Sequence, residues 1–180
     1  QHDLEQVQAD EIKAKTQKGT LWMALAIWVP TRLWMGGVVS PKRDMELIQS
    51  LADKVRRMAL CRPLLLAVDG LASYVSAFRD AFRSKFPRQA GETGRCRMVS
   101  WSDIYIVQMV KQRVAGVLNV ERRIVQGAKY KVESLIQKTQ GKGVINTAFI
   151  ERLNATFRQR ISPLTRRTRN LAQQTETLVG

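Results

Sequence analysis

One histidine and two cysteines are all that the 180 residues hold of the side chains most used for nucleophilic or soft-metal chemistry. His2 stands near the N-terminal end, so a Ser-His-Asp or Cys-His arrangement lacks its base, and histidine-ligated zinc hydrolysis is disfavoured too. Cys61 and Cys96 form no CxxC pair; they exclude a four-cysteine zinc module and fit a reducing cytosol. Long apolar runs are missing as well. The longest, Leu21 to Pro30, falls well short of the roughly 20 residues that a membrane-spanning helix needs. No charged-then-apolar signal segment opens the chain, and no isolated basic amphipathic helix suits a lipid surface. A membrane is therefore not an expected partner, and the expected setting is the cytoplasm. Acidic residues are scarce, 15 against 30 Lys and Arg, which leaves a net charge of +15. Such an excess concentrates polyanions, so DNA or RNA is the first candidate partner and a ribosome-like protein the plain alternative. If the chain is an enzyme, carboxylates must carry its chemistry.

What is present suffices for a folded domain. Hydrophobic residues make up 44% of the chain, enough for a real core, and the length suits one domain spanning 1–180. Residues 6–16 alternate loosely and read as a strand. Residues 20–29 are nearly all apolar, as in a central strand buried on both faces, and 33–40 resume the pattern after Pro30. These three predict an antiparallel three-strand meander. Met45, Ile48, Leu51, Ala52 and Val55 share one face of a helix, which Arg62-Pro63 stops. LLLAVDG (64–70) is a short buried strand. A second helix is expected over 74–86, a loop over 87–97, a helix over 129–139 and a loop over 140–143, while 98–126 is ambiguous between strand and helix. A basic helical segment fills 147–178, with Pro163 as its break. Three strands, helix, strand, helix, then further helices make an α/β domain with a mixed sheet and flanking helices.

Three acids invite a chemical reading. Asp69 ends a fully apolar strand and precedes Gly70. Functional groups in open α/β sheets collect at such strand ends, although an Asp there can also cap the helix that follows. Asp10 lies inside the first strand pattern, where a charged residue commonly just faces solvent; Glu11 beside it leaves by the opposite face, so only one of the pair is expected to share a site with Asp69. Glu151 stands beside an apolar stripe of Phe149, Ile150, Leu153 and Phe157, with Asn154 at i+3 and Arg158 at i+7 projecting from nearly the same side. The row is either a solvated helix face or a metal and phosphodiester site. As a site, the acids would supply the hard oxygen ligands of two divalent ions, Mg²⁺ or Mn²⁺, about 4 Å apart and able to stabilise both oxygens of an in-line displacement at phosphorus.

QADEI (8–12), LLLAVDGLASY (64–74) and NTAFIERLNATFRQRISPLTRRTRNLA (146–172) together resemble the DDE transposases of bacterial insertion sequences. The last block is the most specific: Glu-Arg-x-Asn, an Arg seven residues past the Glu, and then an Arg-Arg-x-Arg segment. The resemblance runs over nearly the whole chain and is weakest in 87–130. It implies a ribonuclease-H-like catalytic core in which Asp10, Asp69 and Glu151 converge as catalytic and metal-binding residues. It implies DNA as partner, both element ends and target, with a homo-oligomer assembled on that DNA. Arg152, Asn154, Arg158, Arg160, Arg166, Arg167 and Arg169 become the DNA-binding residues, and phosphate contacts of that kind give affinity without sequence specificity. The family's N-terminal DNA-binding module is expected to be absent, since Asp10 is almost at the start. The rivals are a ribonuclease-H-like nuclease or resolvase, and an inactive transposase remnant that only binds nucleic acid.

Overall fold

The apolar stretch after Gly19 becomes β2 (Gly19–Trp28), buried along most of its length and flanked by β1 (Gln6–Thr16) and β3 (Leu33–Ser40). The computed structural model describes residues 1–165 apart from Lys18, Cys61, 88–90, Glu92 and Lys142. Arg166, Arg167, Arg169 and the end of the helix expected over 147–178 lie outside the described residues. β1 pairs antiparallel with β2, and β2 antiparallel with β3. After α1 (Met45–Met58) the chain enters β4 (Leu64–Asp69), which runs parallel to β1. β7 (Ile104–Val114) is parallel to β4, and β8 (Val117–Gln126) returns antiparallel beside it. The result is a mixed six-stranded sheet in the order β3-β2-β1-β4-β7-β8. A two-stranded sheet pairs β5 (Arg83–Lys85) with β6 (Met98–Ser100). With α2 (Ala72–Ala81), α3 (Lys129–Gln140) and α4 (Ala148–Arg160), this is the α/β class expected. No helix among the described residues is long and apolar enough to cross a membrane.

Three boundaries differ from expectation, each for a local reason. The helix expected over 74–86 stops at Ala81, because Phe82 turns into the core against Trp101, ring centroids 5.2 Å apart, and the next three residues pair with β6. The ambiguous 98–126 is all strand and turn: Ile104–Met109 is buried throughout and so shows no periodicity to read. Beyond Arg160 the chain leaves the α-helix at Ile161, and Ser162–Leu164 forms a 3-10 turn around Pro163, whose missing N–H ends the ladder.

The sheet is covered on both faces. On one, α1 and α2 bury Leu47, Ile48, Leu51, Tyr74, Phe78 and Phe82 against Val7, Ala9, Leu64, Leu66 and Ile106. On the other there are two smaller clusters, one under α4 built on Ile12, Leu25 and Ile150, one under α3 built on Leu65, Tyr105 and Val107. A polar seam along β1 separates them. Gln6 accepts from Thr139 Oγ1 (2.5 Å) and Gln140 Nε2 (3.0 Å). Gln8 Oε1 accepts from the backbone N–H groups of Phe149 (2.9 Å) and Ile150 (3.1 Å), while its Nε2 donates to Asn146 O (2.9 Å). Gln8 thus serves as a cap for α4 from across the sheet, where Thr147 makes no side-chain cap bond.

Gln8→Leu keeps the volume but leaves the Phe149 and Ile150 N–H groups of α4 without acceptors. It should lower unfolding free energy by about 1–3 kcal/mol in urea titration. A loss within about 0.5 kcal/mol, the range of ordinary surface changes, would show that these groups find other partners.

Candidate functional site

β4 has six residues, whereas β1 and β7, its neighbours on either side, have eleven each. Pairing between β1 and β4 ends at Ala9↔Val68, and between β4 and β7 at Asp69↔Met109. Beyond those pairs the two long strands continue without the short one between them, leaving a notch in the sheet whose floor is the carboxyl end of β4. Gln8 faces Ala67 across the β1–β4 pair, so two residues on, Asp10 and Asp69 stand side by side on the same face. Strand ends of this kind collect functional groups in α/β sheets.

Glu11 joins them, which corrects the expectation that only one of the Asp10–Glu11 pair reaches Asp69. Its side chain does leave by the opposite face, under α2, where Tyr74 Oη donates to it at 2.8 Å. With β4 ending at Asp69, no strand separates the two faces at this level. Carboxylate oxygens of Asp10, Glu11 and Asp69 consequently lie within 4.8 Å of one another. Arg43, from the turn before α1, bonds Glu11, lies 3.7 Å from Asp69 Oδ2, and rests over the Trp22 ring at 5.1 Å. Asp69 does not cap α2, whose N-cap is Leu71; its Oδ1 accepts from Leu71 N at 2.9 Å at the entry to the helix.

Burial and crowding hold Asp10 and Asp69 toward their neutral forms. The Asp10 carboxyl is pushed up to about 7, first by desolvation and then by the charges of Glu11 and Asp69, against a smaller opposing bond from Asn154. Asp69 is raised as well, chiefly by desolvation, with Arg43 and Lys111 pulling the other way. The Tyr74 hydroxyl, buried beside Glu11, lies well above its ordinary value for the same reason.

Glu151 is near but lies outside this cluster. Its carboxylate takes hydrogen bonds from Lys111 Nζ of β7 and Thr147 Oγ1, both at 2.5 Å. Partial burial raises its pKa, but those two bonds outweigh it and the net shift is downward. Asn154, grouped by sequence with DNA-contacting residues, is only 1% exposed and donates to Asp10 Oδ2 at 2.8 Å. It packs inward because α4 lays that face on β1. Arg152 and Arg160 are exposed, and Arg158 lines a cavity of about 240 Å³ together with Lys13, Lys15 and Thr165. Trp101 and Tyr105 serve packing, Trp101 against Phe82 and Arg56, Tyr105 in the core under α3. Sequence reasoning missed Arg43, Lys111 and Tyr74. No local pattern marks them, since each reaches the cluster only through the fold. No family model matches the chain, and no curated protein matches it.

The donor set suits a hard divalent cation: three carboxylates and no softer ligand. Two further observations fit. A cationic group, the Arg43 guanidinium, already sits where Glu11 and Asp69 meet. The Oδ1 of Asn154, beside Asp10, is buried without a hydrogen-bond partner among the described residues.

Asp10 binds its proton more tightly folded than unfolded, so its stabilising contribution is full below pH 4 and is lost as pH rises through about 7. Asp10→Asn should therefore gain stability over the native chain between pH 4 and pH 8, by up to about 4 kcal/mol without divalent cations. Parallel stability curves across that range would refute the account of a buried charge.

Proposed function

We propose that this chain is the catalytic core of a DNA transposase of the acidic-triad type, acting on mobile-element ends with Mg²⁺ or Mn²⁺ inside a cytoplasmic, nucleoid-bound complex. The observation that carries this reading is the proximity of Asp10 and Asp69 on the same face of adjacent parallel strands, just past their last pair and at the carboxyl end of β4. Three antiparallel strands followed by parallel β4 and β7, with helices on both faces, support a ribonuclease-H-like assignment of the sheet. The motif order of Asp10, Asp69 and Glu151 and the net charge of +15 point the same way.

Asp10 and Asp69 would hold divalent ions, with Glu11 as a third carboxylate from the far face. The chemistry such ions would supply is polarisation of the phosphodiester and activation of the attacking hydroxyl, water for cleavage and a DNA 3′-OH for transfer. Asn154 fixes the rotamer of Asp10, and Tyr74 that of Glu11. Glu151 completes the set after releasing Lys111, from one turn before Asn154 on the same helix. Arg152, Arg158 and Arg160 carry the phosphate backbone along α4, with Arg166, Arg167 and Arg169 continuing the basic stretch in sequence. The ion pairs Arg43–Glu11 and Lys111–Glu151 favour a second reading, a remnant that binds nucleic acid without cutting it.

Metal-dependent nicking of supercoiled DNA separates the two readings. Asp69→Asn should reduce nicking at least about 100-fold, the loss of several kcal/mol of charge stabilisation, with DNA affinity held within about twofold. Glu11→Gln should cost at least about tenfold. Nicking that survives both changes defeats the carboxylate mechanism, and a native chain that never nicks with Mg²⁺ or Mn²⁺ leaves the remnant reading.

Arg43→Gln should tighten Mn²⁺ binding about fivefold in the absence of DNA, read by electron paramagnetic resonance, because about 1 kcal/mol of competing charge leaves the cluster. Unchanged or weaker binding would mean that the guanidinium does not occupy the cation's place.

A further inference from the structure

Past Met109 and Arg122, β7 and β8 have only each other. Their pairing continues through Lys111↔Val120, Gln112↔Asn119, Arg113↔Leu118 and Val114↔Val117. Ala115 and Gly116 close the hairpin with φ of 49° and 83°, the left-handed pair that a tight two-residue turn requires. Residues 111–119 are all exposed. At the tip stand three large apolar side chains, Val114 at 62%, Val117 at 70% and Leu118 at 55% exposure. Lys111, Arg113, Arg122 and Arg123 line the ribbon against a single acid, Glu121. The guanidinium of Arg113 meets no partner among the described residues, and its cross-strand neighbour is Leu118. Both project from the face that carries Asp69 and Lys111, because side chains alternate along β7 from Met109.

Apolar side chains at the end of a water-exposed arm weaken solubility without adding to the core, so a partner is the natural reason for them. The cations select its chemistry. Proteins that bind the minor groove of a duplex combine basic side chains with apolar wedges inserted between base steps. Two-stranded ribbons are among the elements that enter either groove. Five residues separate Met109, level with Asp69, from Val114. At about 3.4 Å each they carry the tip about 17 Å beyond the carboxylates. One DNA strand advances about 3.4 Å per nucleotide, so the tip lies about five base pairs from a phosphodiester held at the cluster.

We propose that the β7–β8 ribbon is a groove-entering arm for duplex nucleic acid, with Val117 and Leu118 as the wedge and Arg113 on the flanking phosphate. The choice of partner rests on the ribbon itself, and the five-base-pair spacing rests on the reading of the cluster as the site of phosphodiester chemistry. The arm unstacks base steps at its tip and sets how far the duplex lies across the notch.

The test uses the full chain and a 30-base-pair duplex carrying 2-aminopurine at successive positions, with affinity followed by anisotropy. The native chain should brighten the probe at one register, about five base pairs from the nick mapped on the same duplex. The double change Val117→Ser and Leu118→Ser should remove the brightening and weaken binding about tenfold, with thermal unfolding unchanged. Arg113→Ala should weaken binding while leaving the brightening in place. Brightening that depends on the tip but sits elsewhere relative to the nick, or occurs without any nicking, keeps the arm and rejects the catalytic reading behind the spacing. Full affinity in the double variant overturns the proposal. So does loss of a dimer in sedimentation with duplex binding intact, which would make the tip a contact between copies of this chain.

Discussion

Three carboxylates within 4.8 Å of one another repel, and at an effective dielectric of 20 each ionised pair costs about 3 kcal/mol. A fold that buries Glu11 and half-buries Asp10 must offset that repulsion. Part of the relief is protonation, with the Asp10 carboxyl titrating near 7. The remainder is supplied from three directions, by Arg43 ahead of α1, Tyr74 on α2 and Asn154 on α4. Two of these contacts come from helices, so α2 and α4 are docked by the cluster as well as by their apolar faces. Such an arrangement is costly unless a cation uses it, because apolar residues in these places would fold with less opposition.

The same logic explains why β1 carries polar residues at alternate inward positions. Gln6, Gln8 and Asp10 form one row beneath α3 and α4, and each is spoken for by groups more than a hundred residues later in the chain. A one-residue slip of β1 against β4 would point all three at the apolar cluster under α1 and α2. The register is thereby specified by polar satisfaction on one face and by Val7 and Ala9 on the other. Asp10 arrives beside Asp69 as a consequence of a register that Gln8 and its partners fix.

Much of this was legible in the sequence, and what was not has a physical cause. Strands β2 and β4 follow from unbroken apolar runs that a sheet covered on both faces requires, and α1 follows from the spacing of its single apolar face, each bounded by turn residues. The β7–β8 ribbon was not legible: a buried run followed by an exposed, alternating one averages to no period. Asp69 was legible because strand-end position is itself a sequence feature. Glu11 was excluded by strict alternation, a rule that holds inside a sheet and fails at the end of β4, where no neighbour divides the faces. Asn154 was read as a surface residue from its alignment with Glu151 and Arg158. Helical spacing gives a side chain's direction, but the surface that meets it comes only from the fold.

The two basic side chains at the centre couple its ligands. Arg43 and Lys111 now neutralise Glu11, Asp69 and Glu151, acids that a divalent cation would otherwise claim. When a cation takes those acids, both side chains, each open to water on one side, lose these partners, a state that favours any phosphate nearby. When a phosphate takes the two side chains first, the acids are left crowded and uncompensated, which favours the cation. Under the proposed function, cation and polyanion binding therefore reinforce each other, and by linkage the factor is the same in both directions. Under the proposed function, this reciprocity keeps the carboxylates quiet in the absence of DNA. It also accounts for a feature that either ligand alone would leave unexplained: basic residues placed directly on acids that the chemistry needs free.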